Sequence, residues 1–334
     1  MNSWPRPLLR MLACAGVALA AWVPAAAVAQ APPPVKVRTG HVVEVASYLA
    51  FYAARAKGFF AEQGLTIDHT TFNDSTTLMQ AAVSGSLDLF TVGSDAVINV
   101  NMRGGTFEFV SGQDNAFSFS LAVGKDIQGF ADLKGKKIAV VALNQASTLL
   151  LKTMLARNGL TERDYDLIVG GGTPLRAAAL QAGEVKAALL APPTDFVMEE
   201  RGFRILGRTT DYVPEYTFTM WTVSRDWAAK NEATVVRFLR AILKGAAWVY
   251  DPANKAEAIQ LLSERTKAKP ATAQRTYELI FEKLRSQSRS GEISRPGLQN
   301  VLKLMAELGA IKPPLPSPDK FINEAYLQKA RAQR

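Results

Sequence analysis

The chain has 334 residues, of which 48% are hydrophobic and 21% charged, with a formal net charge of +9. That length suits two lobes better than one small core. The basic residues are scattered and form no stripe interleaved with aromatics, which argues against a nucleic-acid-binding protein.

The first residues carry an export signal. Arg6 and Arg10 are the only charges before residue 36, an apolar run covers residues 8–23, and Ala27-Val28-Ala29 fits a small-residue cleavage pattern with the cut before Gln30. Residues 1–29 therefore read as a cleaved signal peptide; the run is too short and Ala-rich for a membrane span. The single cysteine, Cys14, lies inside it. Met11 to Cys14 faintly resembles a lipoprotein box but sits too early in the apolar run. The remaining chain has no disulfide, thiolate nucleophile or cysteine metal site. Export without cysteine suits a bacterial periplasm.

Beyond the Pro-rich entry, residues 35–38 predict a strand and 46–63 a helix stopped by Gly64. Strand 65–72, helix 75–85, strand 87–92, helix 94–105 and strand 107–113 follow. The pattern restarts with a strand before 143, helix 147–160, strand 165–171, helix 173–183, strand 185–191, helix 193–202 and strand 203–206. Strands alternating with helices of this length imply parallel sheets covered on both faces. A strand at 216–227 reads as a return to the first lobe. Helices at 231–251, 255–265, 272–287 and 295–311 then read as packing around that lobe, with a Pro-rich break and a short final helix. The segments QAAVSGSLDLFTVGSD (80–95) and LQAGEVKAALLAPPTD (180–195) repeat one plan of helix, glycine, strand and turn. They predict the third strand of each of two similar lobes: residues 35–115 with 217–334, and residues 116–216.

In open α/β sheets, ligands sit beyond the carboxyl ends of strands, where helix N-termini offer free N–H groups and a positive dipole end. The candidate turns are 40–47, 73–77 and 93–95 in the first lobe, and 143–148, 171–176 and 191–195 in the second. Nearly all hold Ser, Thr, Asn or Asp, which are also ordinary N-caps. Arg176, at a helix start, is a candidate anion clamp. His41 is expected in the loop after the first strand, as an anion donor or a solvated side chain. His69 is expected to be structural, and Glu199-Glu200 a solvated helix face. Tyr48, Asn115, Phe117 and Tyr216 are candidate walls or polar handles, though aromatics more often pack in cores. Asp95 and Asp195 could both face the cleft, as caps or as partners for an amine. No nucleophile elbow, metal-binding spacing, Walker loop or dinucleotide fingerprint is present, so nothing asks for an enzyme.

ADLKGKKIAVVALNQASTLLLKTMLARNGL, AARAKGFFAEQGLTI, AALQAGEVKAALLAPPTD and the return segment from residue 217 together resemble periplasmic solute-binding proteins of the nitrate/sulfonate/taurine group, related to the thiamine-precursor-binding type. Lys186 departs from the acidic residue usual after GEV. The resemblance implies a two-lobed type II periplasmic binding fold that closes on a small solute; the helix N-termini and Arg176 favour a sulfonate, carboxylate or similar organic anion. It implies delivery to an inner-membrane ABC permease with its cytoplasmic ATPase. It also implies a monomer with no cofactor. Alternatives are a thiamine-pyrimidine-precursor binding or synthesis protein, or a solute sensor. By position the implied contacts fall at His41, Ser75, Thr76, Ser94, Asp95, Asn144, Ser147, Thr148, Thr173, Thr194 and Asp195; Ser47, Tyr48, Asn115, Arg176 and Tyr216 join them from the turns and walls. The hinge is expected near 115–121 and 214–222.

Overall fold

The computed structural model describes residue 1 and residues 33–116, 118–143 and 145–332. The expected signal peptide beyond Met1, with Cys14, lies outside the described residues, as do Phe117 and Asn144. Among the described residues no helix is long and apolar enough to cross a membrane.

Ten strands form two five-stranded sheets among the described residues. In chain order they are β1 (Val35–Val42), β2 (Leu65–Phe72), β3 (Leu89–Gly93), β4 (Phe107–Gly112), β5 (Ser120–Val123), β6 (Lys136–Val140), β7 (Tyr165–Val169), β8 (Ala187–Leu190), β9 (Arg204–Arg208) and β10 (Thr219–Ser224). The sheet orders are β2-β1-β3-β10-β4 and β7-β6-β8-β5-β9. The two orders match position for position, so both copies of the repeat end in a central strand, β3 and β8. In each copy the preceding helix stops at a left-handed glycine, Gly85 with φ 75° and Gly183 with φ 77°. That conformation is open to glycine without a Cβ penalty.

The sheets are mixed rather than wholly parallel, which corrects the expectation. β10 runs antiparallel between β3 and β4, and β5 runs antiparallel between β8 and β9. Each is the first strand after the chain crosses between sheets. A strand entering from the other lobe meets its new sheet from the carboxyl end of the neighbouring strands, so it pairs in the opposite sense.

Eight helices accompany the strands: α1 (Leu49–Ala56), α2 (Phe59–Glu62), α3 (Ser75–Val83), α4 (Ser94–Asn101), α5 (Ala146–Arg157), α6 (Thr173–Ala182), α7 (Thr194–Glu200) and α8 (Arg225–Lys230). The tail adds α9 (Glu232–Tyr250), α10 (Lys255–Thr266), α11 (Pro270–Tyr277), α12 (Arg295–Glu307) and α13 (Ala325–Ala332). The single helix expected over 46–63 is broken. It opens as a 3-10 turn, Ala46–Tyr48, and Gly58 separates α1 from α2 with φ 75°.

Each sheet is covered on both faces, as its apolar runs require. One face of the first packs Leu49, Phe51 and Tyr52 of α1 against Phe238 and Leu239 of α9; the other packs Leu78, Val97 and Leu298 from α3, α4 and α12. Helices α1 and α9 cross so closely that a Cβ at Gly245 would strike the Ala50 carbonyl. The second sheet lies between Leu151 and Leu155 of α5 and Ala177 and Leu180 of α6.

The tail does more than cover the first sheet. Helix α11 reaches α7 of the other lobe, where Arg275 pairs with Glu199 at 2.6 Å and Thr272 donates to Glu200. Glu199 and Glu200 are thus cross-lobe partners rather than a solvated face. Helix α5 also meets the tail, with Leu150 packed in one cluster with Leu298 and Leu302 of α12. The two crossing segments run side by side: Phe218 N donates to Asp114 O at 2.8 Å and Tyr216 N to Asn115 O at 3.1 Å.

Candidate functional site

The strand ends of both sheets open on one cleft with a cavity volume of about 330 Å³. That lies within the range of small-molecule sites. From the first lobe come the turn after β1 (Val43, Val45, Ser47, Tyr48), the start of α3 (Asn73 to Thr76) and Val92 with Gly93. From the second come Val141, Gln145 and Ser147, the turn from Gly171 to Thr173, and Arg176. Phe119, Phe218 and Thr219, beside the crossing segments, close the back. The rim is tight: a side chain at Gly172 would lie 3.6 Å from the Asn73 carbonyl of the opposite lobe.

The two walls differ in charge. Helix α3 is capped by Asp74, whose carboxylate accepts from Thr77 N at 2.8 Å and Thr77 Oγ1 at 2.9 Å. The N-terminal donors of α3 therefore already face a negative group. Among the described residues α5 and α6 have no side-chain cap; α6 starts at Gly172 with Pro174 in its first turn.

Arg176 projects from the first turns of α6 and is 1% exposed. Its Nε donates to Leu189 O at 2.7 Å, one terminal nitrogen to Thr173 Oγ1 at 3.1 Å, and the other to Gly171 O. All three acceptors are neutral, and among the described residues no carboxylate pairs with it. Burial alone lowers its pKa to about 10. It remains a cation at neutral pH, at the edge of a cavity, without a counter-ion.

Ser47, Tyr48, Ser75, Thr76, Ser147, Thr173 and Arg176 of the expected set line the cleft. The others are placed elsewhere. His41 belongs to β1, not to a loop, because β1 runs to Val42. Its ring is wholly buried on the α1 side of the sheet, stacked on Tyr48 with centroids 4.0 Å apart. Burial pulls its pKa down to about 3, so it supplies no positive charge to the cleft. His69 shares that environment, is likewise pulled to about 3, and meets Thr39 Oγ1 through Nδ1 at 2.8 Å.

Ser94 is buried and donates to Thr217 O at 2.8 Å. Asp95 borders a second, more open cavity of about 530 Å³ beside α3 and α4. Asn115 spends its side chain on the crossing, donating to Glu292 O and accepting from Ser294 N. Thr148 donates to Ala142 O at 2.6 Å and so braces the turn that carries Ser147. Thr194 lies outside the cleft lining at the start of α7. Asp195 is fully buried and accepts from Ser120 Oγ and from Arg208, each at 2.6 Å. It therefore neither faces the cleft nor seeks an amine. Tyr216 is buried in the core of the first lobe, where burial and the charge of Asp95 raise its pKa well above the usual value.

The reading missed the apolar lining: Val43, Val92, Phe119, Val141 and Phe218. Each sits at a strand end or a crossing, where its sequence is that of a core residue. Val43, Val92 and Val141 lie at carboxyl ends of strands, and Phe119 and Phe218 at the amino ends of antiparallel β5 and β10, which reach the same edge.

The chain matches the family model described as NMT1/THI5 like over residues 46–256. The putative binding protein YtlA of Bacillus subtilis is 25% identical over 309 residues, covering 90% of this chain and 91% of YtlA. The taurine-binding periplasmic protein of Escherichia coli is 27% identical over 195 residues, covering 57% and 60%. Among solved structures, the periplasmic nitrate-binding protein NrtA of Synechocystis PCC 6803 superposes with a TM-score of 0.77 at 16% identity, covering 90% of this chain and 89% of NrtA. The desulfurization enzyme DSZB gives 0.67 at 15% identity, covering 90% and 99%. The two-lobed architecture is thus one that periplasmic binding proteins and an enzyme both use. With most of its length matched by one family model, this chain belongs to the NMT1/THI5-like family.

Proposed function

We propose that this protein is the periplasmic solute-binding component of an ABC importer, and that its solute is a small organic anion with an apolar body. The observation that carries the reading is Arg176: a buried cation beside the cleft with only neutral partners among the described residues, in the first turns of a helix without a side-chain cap. A charge removed from water is costly unless paired, and an anionic head group in the cleft supplies the missing partner. Thr173 and Ser147 are placed to hydrogen-bond the same group. Valines and Phe119, Phe218 and Tyr48 around the rest of the cavity suit a hydrocarbon or aromatic body. Such a ligand is a sulfonate or carboxylate rather than a bare inorganic ion.

Ligand contacts from both walls favour the closed arrangement by differential affinity. The crossing segments are the hinge, residues 116–216 form one lobe, and the rest of the mature chain forms the other. The closed monomer docks on a membrane permease served by a cytoplasmic ATPase. Names of relatives that bind taurine or nitrate agree with an anionic solute. The enzyme DSZB shares the architecture, but the cleft here offers no cysteine, and its histidines face away.

Calorimetry with a panel of alkyl and aromatic sulfonates, matching carboxylates, nitrate, and amines tests the reading. The expected result is tight binding of at least one organic anion and none of the amines. Binding confined to amines or neutral solutes would overturn it. An uptake defect in a deletion strain separates transport from sensing.

A further inference from the structure

Behind the first-lobe wall of the cleft, His41, Glu44 and His69 bring one ligand-type atom each within 4.8 Å of the others. The histidines are 28 positions apart and show no metal-ligand spacing in sequence. The sheet assembles them: Thr39 pairs with His69 across β1 and β2, and His41 lies two residues further along β1. Residues two apart share a face, so the two rings are diagonal neighbours, with centroids 4.4 Å apart. Glu44 comes from the turn after β1, its Oε1 3.8 Å from His41 Nε2.

We propose that this triad binds a divalent transition-metal cation of the zinc type. Neither ring nitrogen of the wholly buried His41 has a hydrogen-bond partner, and buried His69 Nε2 and Glu44 Oε2 also lack one. A buried polar atom left unpaired costs roughly 1–3 kcal/mol. One bound cation would take one ring nitrogen of His41, His69 Nε2 and Glu44 Oε2, and so satisfy three of these four atoms at once. The outer contacts are those a metal site uses to orient its ligands. Thr39 Oγ1 meets His69 Nδ1 at 2.8 Å, which leaves Nε2 for the ion, and Thr71 Oγ1 donates to Glu44 Oε1 at 2.7 Å.

Two imidazoles and one carboxylate suit zinc and its neighbours rather than calcium or magnesium. Three protein ligands leave a fourth position open. The buried hydroxyl of Tyr52 lies beside Glu44 and is a candidate to fill it. Arg55 and Arg265 also face the cluster, and their charge opposes the ion.

The site has a consequence for the cleft. His41 and Glu44 bracket Val43, which has a φ of 48°. A β-branched residue in the left-handed region stores roughly 1–3 kcal/mol of strain. Val43 and Val45 line the cleft, so an ion held at His41 and Glu44 fixes that wall from behind. This consequence rests on the proposed cleft function; the ion site itself does not.

The test uses the mature protein stripped with chelator, titrated with Zn²⁺ alone by calorimetry, and with Co²⁺ followed by visible absorption. The expected result is one equivalent of Zn²⁺ per chain and a Co²⁺ spectrum of four- or five-coordinate intensity. A folded Glu44→Gln/His69→Gln double variant should lose both. Thr39→Val should weaken Zn²⁺ by about 10–100-fold, the usual effect of removing an outer partner, and Arg265→Ala should tighten it severalfold. Absence of stoichiometric binding overturns the proposal, as does binding that survives in the double variant. If the double variant does not fold, the wild-type Co²⁺ spectrum decides: a weak octahedral spectrum overturns the site. None of these outcomes bears on whether an anion occupies the cleft.

Discussion

The two lobes use one plan and spend their charges differently. Both copies of the repeat run through a left-handed glycine into a central strand and end with an aspartate in the first turn of a helix. In the second lobe Asp195 is buried and paired with Arg208; Asp95 of the first lobe is also buried and borders the second cavity. The lobes differ at the cleft. The first-lobe helix α3 is capped by the carboxylate of Asp74, while its second-lobe counterpart α6, which carries Arg176, starts at Gly172 without a side-chain cap among the described residues. Equivalent backbone thus carries a carboxylate at the start of α3 and an arginine at the start of α6. The fold repeats; the electrostatics do not.

The largest effect should come from breaking the neutralised aspartate. Arg208→Ala leaves Asp195 buried and charged, and should destabilise the protein by about 3–5 kcal/mol in denaturant titration. An Arg208→Met/Asp195→Leu pair should recover much of that loss. Little loss in the single variant would mean that Asp195 needs no partner.

The junction between the lobes offers a second break. Asp114 is buried among Thr219, Gln287, Ser47 and the rings of Tyr48 and Tyr250, and burial lifts its carboxyl to about 7. Its unfolded value is near 3.8, so the folded state holds more protons between the two. This group's contribution to stability is therefore greatest at acid pH and declines as pH rises from about 4 to about 7, by an amount on the order of 4 kcal/mol. Asp114→Asn should remove that decline from a stability–pH profile. An unchanged profile would show that Asp114 titrates normally.

Arg176 sharpens the comparison at the cleft. Arg176→Met should weaken an organic anion by about a hundredfold or more, since removing one partner of a buried, hydrogen-bonded charge pair costs about 2–5 kcal/mol. Asp74→Asn on the opposite wall should leave affinity equal or slightly higher. A loss of affinity at Asp74 with none at Arg176 would invert the assignment.

The smallest effects separate two adjacent hydroxyls. Thr148→Ala should cost about 1 kcal/mol of stability through its bond to Ala142, whereas Ser147→Ala should cost about 1 kcal/mol of binding with stability unchanged. Thermal melts with and without ligand distinguish them.

The sequence carried the architecture because its signals are local. Apolar runs, glycine stops and the repeated segment mark β3 and β8 and the helices before them. The antiparallel sense of β5 and β10 was not legible, since pairing direction is set by where a crossing chain re-enters, not by composition. At the site, the turns holding Ser75, Thr76, Ser147 and Thr173 could be located because strand-to-helix turns are readable. Which hydroxyl faces the cleft was not: Ser147 and Thr148 are equally good cap residues, and a one-residue rotation on a helix decides between them. His41 failed for a similar reason. Extending β1 by four residues moved it from a loop to a strand, and alternation then turned its ring into the core. Asp195 failed because its partner, Arg208, stands on a strand that pairs with β5, a contact no sequence spacing announces.

Native mass spectrometry of the protein, purified without denaturation, reads the occupant of the cleft. A small organic acid should be retained in wild-type protein, released on unfolding, and absent from an equally folded Arg176→Met variant. A retained cationic or neutral molecule, or an acid held equally well without Arg176, would contradict the anion site at Arg176.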